Sequence, residues 1–282
     1  MKKVLLAGAA LALLTGSALA ADLPSRKGPP PAYIPPPPLI TWTGFYVGVN
    51  AGGTWSDNNV VTLPSFDTGP GGFTSGQIAG SFPTALSLSN DGFIGGGQIG
   101  YNWQFANVFV AGIEADIQGV ASGNSTRNIL LQGIGGFQPA VTQVSRSLDY
   151  LGTVRGRLGW LFTPSLLVYG TGGLAYGGVN LGASFFGPTF GPPLAVSTAF
   201  SDTRVGWTAG GGVEWMFWPN WSAKVEYLYY DLGTVTAPTA LYAYGANITG
   251  ITPRTRFNGN VVRAGLNYHF NWGSAAPVYA KY

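Results

Sequence analysis

The residues able to do chemistry are ten charged side chains: Glu114, Asp116, Asp149, Glu214 and Glu226 against Arg155, Arg157, Arg204, Lys224 and Arg263. Grouped carboxylates can act as general acid and base when one holds its proton and another does not. Equal numbers of both signs point elsewhere, because charges held away from water must be paired. Ion pairing is therefore the expected role: Glu114 and Asp116 with Arg155 and Arg157, Glu214 with Lys224 or Arg204, and Glu226 with Arg263. The lone histidine, His269, has no cysteine to share a metal with and no obvious partner for a nucleophilic triad. Gly95, Gly97 and Gly100 spell G-x-G-x-x-G, and Gly170, Gly172 and Ala175 its variant. A dinucleotide site would need a helix to begin at once, and both motifs lie inside strand-like alternation. No enzyme, cofactor or metal is expected.

The elements that must position these charges are strands, since many of them recur at a spacing of two. Eight are expected, at about 42–56, 91–103, 108–121, 147–160, 166–180, 202–217, 221–235 and 259–270. Segments 57–90, 122–146, 181–201 and 236–258 are long and rich in small and polar residues, whereas 104–107, 161–165 and 218–220 are tight turns. Long and short alternate strictly, as do the external loops and periplasmic turns of membrane barrels. One face carries Phe45, Val47, Val49, Ile113, Leu148, Tyr150, Val154, Leu158, Val205, Val213 and Val225, with Asp231 its only charge. The opposite face carries all ten charges named above. A cation facing lipid at mid-depth costs about 2–4 kcal/mol, so the charged face belongs inside. Trp42, Trp103, Trp160, Trp215, Trp218, Trp221 and Trp272 gather at the short-turn end as an expected headgroup girdle, with Trp55 and Trp207 nearer the loops.

Charged residues make up only 9% of the chain, aromatic residues 14%, and there are 44 glycines, a poor composition for a soluble surface. Without Lys2 and Lys3 the formal charge of +3 falls to about +1, too little to suggest nucleic acid. Residues 1–20 read as a signal peptide: Lys2 and Lys3, the apolar run Val4 to Leu14, then Ala18-Leu19-Ala20 as the cleavage site. That run is too short to span, and no later stretch approaches the roughly 20 apolar residues of a spanning helix. Proline-dense residues 21–41 read as an extended periplasmic arm. Residues 42–270 are the expected barrel and 271–282 a C-terminal tail.

The last strand, Asn260 to Phe270, contains polar-x-Gly-x-x-aromatic-x-aromatic in Arg263, Gly265, Tyr268 and Phe270. It resembles the C-terminal signal by which outer-membrane barrels are recognised for insertion, although twelve residues follow it. The matching segments are WTGFYVGVNAG (Trp42 to Gly52), FIGGGQIGYNWQ (Phe93 to Gln104), GIEADIQG (Gly112 to Gly119), YLGTVRGRLGW (Tyr150 to Trp160), YGTGGLAYG (Tyr169 to Gly177), GWTAGGGVEW (Gly206 to Trp215), VEYLYYDLG (Val225 to Gly233) and VRAGLNYHF (Val262 to Phe270). In that order they resemble the small outer-membrane barrels of alphaproteobacteria, the outer-membrane immunogenic protein family, distantly similar to the OmpA transmembrane domain. The resemblance implies an all-β, eight-stranded antiparallel barrel in the bacterial outer membrane. It also implies a structural, surface-exposed role in envelope integrity. The alternatives are a narrow passive channel for ions or small solutes and a soluble secreted barrel binding a small ligand. Outer-membrane lipid, lipopolysaccharide and the barrel-assembly machinery are the expected partners, with a homo-oligomer left open.

Overall fold

The computed structural model describes residues 41–67, 83–122, 125–131, 140–187, 194–244 and 247–270. The expected signal peptide 1–20, the arm up to residue 40, Trp272 and the tail 271–282 lie outside the described residues. Every regular element among the described residues is a strand: β1 (Gly44–Ser56), β2 (Val60–Thr62), β3 (Ser65–Asp67), β4 (Ala85–Ser87), β5 (Gly92–Phe105), β6 (Phe109–Ser122), β7 (Ser125–Leu131), β8 (Ala140–Thr163), β9 (Leu166–Gly187), β10 (Leu194–Trp218), β11 (Trp221–Thr236), β12 (Ala240–Tyr244), β13 (Asn247–Ile251) and β14 (Arg254–Phe270).

Eight of them form a closed antiparallel ring in the order β1-β5-β6-β8-β9-β10-β11-β14, with β14 pairing back onto β1 from Phe45↔Phe270 to Ser56↔Gly259. Closure removes every edge within the wall, the condition for a sheet to cross a membrane. Alternation sends Val49, Ile113, Val154, Leu158, Leu174, Val205 and Val225 outward and exposed, while Glu114, Arg155, Glu214, Lys224 and Arg263 point inward and are buried. Glycine lets neighbouring strands come together on the inside: a Cβ at Gly96 would lie 2.0 Å from the Ile117 carbonyl oxygen. The β5–β6 turn runs through left-handed backbone at Ala106 (φ 48) and Asn107 (φ 62).

Crossing needs about 9–11 residues, yet β8, β9 and β10 have 24, 22 and 25. This corrects the expected loops 122–146 and 181–201. The period-two pattern continues through Val144, Leu181 and Ala183, so β8, β9 and β10 extend past the lipid and β7 pairs with β8 there. The β8–β9 register shifts between Leu148 and Tyr150, and this bulge reverses the faces of β8. Below it the buried side chains are Leu151, Thr153, Arg155 and Arg157; above it they are Val144, Arg146 and Leu148. Leu148, expected on the lipid face, is therefore inside. Asp149, expected in the lumen, is exposed and bonds Ser147 and Asn180.

The inversion makes two different interiors. Above the bulge Val144, Leu148, Val179, Leu181, Leu228, Leu232 and Phe257 form an apolar core, completed by Val61, Leu63 and Leu88 from the connection between β1 and β5. The described parts of that connection, on either side of residues 68–82, fold into the mouth and are held there by Arg146. Its Nη1 donates to the carbonyl oxygens of Asn58 (2.7 Å) and Leu88 (3.2 Å), Nη2 to that of Arg256 (2.9 Å), and the guanidinium lies 4.5 Å from the Phe257 ring centroid. Burial pulls the Arg146 pKa below the usual guanidinium value, against the opposing influence of Tyr230 and Asp91.

At the other end Trp42 corrects the girdle. It has 0% exposure and packs inside with Val110, Leu161, Leu167, Tyr169 and Met216. Its indole N–H donates to the Pro164 carbonyl oxygen at 3.0 Å, so the ring is buried without orphaning its one donor. Trp103, Trp160, Trp215, Trp218 and Trp221 are exposed around it.

Candidate functional site: the charged lumen

Between the two apolar layers lies a middle layer built from β6, β8, β10, β11 and β14. Cross-strand register brings Glu114 opposite Arg155 and Glu226 opposite Arg263. Arg155 is central, reaching Glu114 at 2.5 Å, Asp116 at 3.0 Å and Glu226 at 2.8 Å. Arg263 Nη2 bonds Asp116 at 2.8 Å and Glu226 at 2.6 Å. Lys224 Nζ bonds Glu114 at 2.8 Å, and Arg157 Nη2 bonds Glu214 at 2.6 Å. Four carboxylates thus face four cations. Neutral donors add to these bonds: the Tyr46 hydroxyl donates to Glu114 at 2.6 Å, Gln118 Nε2 to the Oδ1 of Asp116 at 3.0 Å and Asn267 to Glu214 at 2.7 Å. Arg157 also lies 4.0 Å from the Tyr169 ring centroid. A lumen of eight strands is just wide enough for side chains to fill, and here each charge lies within reach of opposite charge from another strand.

The structure brings together eight of the ten charges expected in the lumen. Asp149 is excluded by the bulge. Arg204 is excluded by distance: it sits ten residues above Glu214 on β10, roughly 33 Å by strand rise, and donates to the Thr234 carbonyl oxygen at 3.3 Å. Lys224 is Glu214's cross-strand neighbour, but its ammonium turns to Glu114, and Glu214 takes Arg157 instead. Asp116 likewise takes Arg155 and Arg263, leaving Arg157 to Glu214 and, as expected, to Glu114 at 3.7 Å. Of the terminal motif, Arg263 and Gly265 face inward, while Tyr268 and Phe270 lie edge to face outside, ring centroids 5.1 Å apart.

Sequence reasoning missed a Ser–His–Glu contact. Ser222 Oγ lies 2.8 Å from His269 Nε2 and donates to Glu214 Oε1 at 2.5 Å. A hydrolytic triad needs the acid on the ring nitrogen opposite the nucleophile. Here the closest approach of Glu214 to the ring, 3.5 Å, is to that same Nε2. All three groups are buried, and Trp42 packs edge-on against the imidazole with centroids 5.7 Å apart. Ser222 was legible only as an inward parity position two residues before Lys224. Tyr46 and Asn267 were hidden in the same way, because a neutral residue on the polar face carries no charge to flag it.

A closed eight-stranded ring with an apolar exterior and a paired-charge interior defines an outer-membrane β-barrel. Residues 8–270 match the family described as Outer membrane protein beta-barrel domain, and the chain belongs to that family, located in the outer membrane. It is 36% identical over 271 residues to the 31 kDa outer-membrane immunogenic protein of Brucella melitensis biotype 1, covering 96% of this chain and 100% of that protein. It is also similar to the 25 kDa outer-membrane immunogenic protein of Brucella abortus biovar 1, at 25% identity over 275 residues with 96% and 99% covered. Among solved structures, OprG from Pseudomonas aeruginosa aligns at 12% identity and a TM-score of 0.39, over 81% of this chain and 97% of that one.

Proposed function

We propose that this barrel is a non-enzymatic, non-conducting structural protein that supports envelope integrity and displays its external strands and loops at the cell surface. The observation that carries this reading is the stack of three filled layers along the lumen: the Trp42 layer, the ion-pair layer, and the apolar core closed by the inward connection. A solute passing through would have to disrupt all three. The narrow-channel alternative needs a continuous polar path, and the two apolar layers interrupt it. The names of the relatives, outer-membrane immunogenic proteins, fit a surface-exposed barrel with no catalytic role. Its proposed partners are outer-membrane lipid, lipopolysaccharide and the assembly machinery, the last reading Arg263, Gly265, Tyr268 and Phe270.

The test is a deletion strain scored for detergent sensitivity and shed outer-membrane vesicles. Complementation by wild-type protein should restore both. Full envelope integrity in the deletion strain would overturn the reading.

A further inference from the structure

We infer that the outer face of the extension formed by β7 and the upper parts of β8, β9 and β10 is a docking surface for the saccharide headgroups of the outer leaflet. Its position comes from the aromatic residues at the external end of the barrel. Tyr150, Tyr176 and Trp207 stand on the outer faces of β8, β9 and β10 and mark where the lipid ends. From there β8 continues up to Ala140, about ten residues and roughly 30 Å by strand rise, paired to β7 on one side and β9 on the other. The extension therefore rises through the layer that the headgroups of the same leaflet occupy. Its outer face is continuous with the lipid-facing wall below, on the same three strands.

The chemistry of that face changes at the boundary. Asn128, Gln143, Ser184 and Ser197 form one row across the four strands, and Asn180 and Ser201 belong to a row nearer the membrane. These are hydroxyls and amides; beyond them, at the far end of the ladder, Leu130, Val141 and Phe186 form an exposed apolar row, and among the described residues the only charge on this face is Asp149 at its foot. Sheets standing in water are usually kept apart by interspersed charges. A neutral surface of mixed donors and acceptors instead matches sugar hydroxyls, and it pairs with them without desolvating an ion. The opposite face of the same strands is fastened to the apolar core through Val144, Val179 and Leu181, so the polar face stays outward. Continuity with the lipid-facing wall selects the occupant: membrane-anchored saccharide rather than a soluble ligand. The inference rests on the outer-membrane location and is independent of whether the lumen conducts.

The experiment compares refolded wild-type protein in vesicles carrying lipopolysaccharide with its core sugars and in vesicles carrying lipid A alone, reading the thermal midpoint from the heat-dependent gel shift. Core sugars should raise the wild-type midpoint above the lipid A value, because phosphate and acyl contacts are common to both. The double variant Ser184→Glu, Ser197→Glu should lose that increment while keeping the lipid A midpoint. Equal wild-type midpoints in the two vesicles, or an increment retained in the double variant, would overturn the proposal. Hydrogen exchange of wild-type protein decides independently of whether the variant refolds. Slower exchange in residues 141–148 and 195–203 with core sugars supports the surface. Protection that depends on protein concentration without sugar would assign the face to a second copy of the chain and overturn the inference.

Discussion

Replacing Arg263 by Met keeps most of the side-chain bulk and removes one cation from a layer in which four carboxylates face four cations. Asp116 and Glu226 then lose their bonds of 2.8 Å and 2.6 Å and share Arg155. Breaking a buried pair on one side leaves an uncompensated charge, at a cost of about 3–5 kcal/mol. Asp116→Asn alone leaves the opposite imbalance and should also destabilise. The double variant faces three carboxylates with three cations. It should therefore be more stable than the sum of the single effects allows, with a coupling energy of about 2 kcal/mol. The assay is equilibrium urea unfolding of protein refolded in lipid vesicles, followed by tryptophan fluorescence for wild type, both single variants and the double. Single-variant losses that add to within roughly 0.5 kcal/mol in the double variant would refute the reasoning, because independent sites behave that way.

Other perturbations probe different parts of the barrel. Gly96→Ala should prevent refolding, since its Cβ would meet the Ile117 carbonyl oxygen at 2.0 Å; Gly97→Ala, with its nearest contact at 3.7 Å, should refold like wild type on a heat-shift gel. Ala106→Gly relieves a left-handed alanine and should raise the urea midpoint, by roughly 1 kcal/mol in stability. Arg146→Met removes the donors that hold the carbonyls of Asn58, Leu88 and Arg256. It should make the 57–91 connection sensitive to protease while the heat-shifted barrel band persists. An uncut connection would show that the apolar contacts of Val61, Leu63 and Leu88 hold it without the guanidinium.

The eight spanning strands were legible because one physical demand, apolar outside and polar inside, is written at period two along each of them. The pairing of β14 with β1 followed from closure. Less legible was everything above the lipid, where the demand inverts. In water the inside must be apolar, as at Leu148 and Leu181, and the outside polar, as at Ser147 and Asn180. A segment of serines, glycines and alternating apolar residues then reads as loop when it is strand. The reversal at Asp149 depends on one unpaired residue, which no single-strand pattern reveals. Partners within the lumen were readable only as a set. Which cation meets Glu214 depends on side-chain reach across the ring, and Arg157, two strands away in ring order, reaches it before its cross-strand neighbour Lys224 does. Trp42 was misplaced for a related reason: at the end of a barrel an indole can cap the lumen or face the headgroups, and the sequence pattern is the same.

The sealed lumen is tested most directly by the conductance of purified wild-type protein in a planar bilayer. The three filled layers predict a silent trace under applied voltage, with insertion verified by the heat-dependent shift of protein recovered from the same preparation. Steady stepwise openings of uniform size would contradict the account.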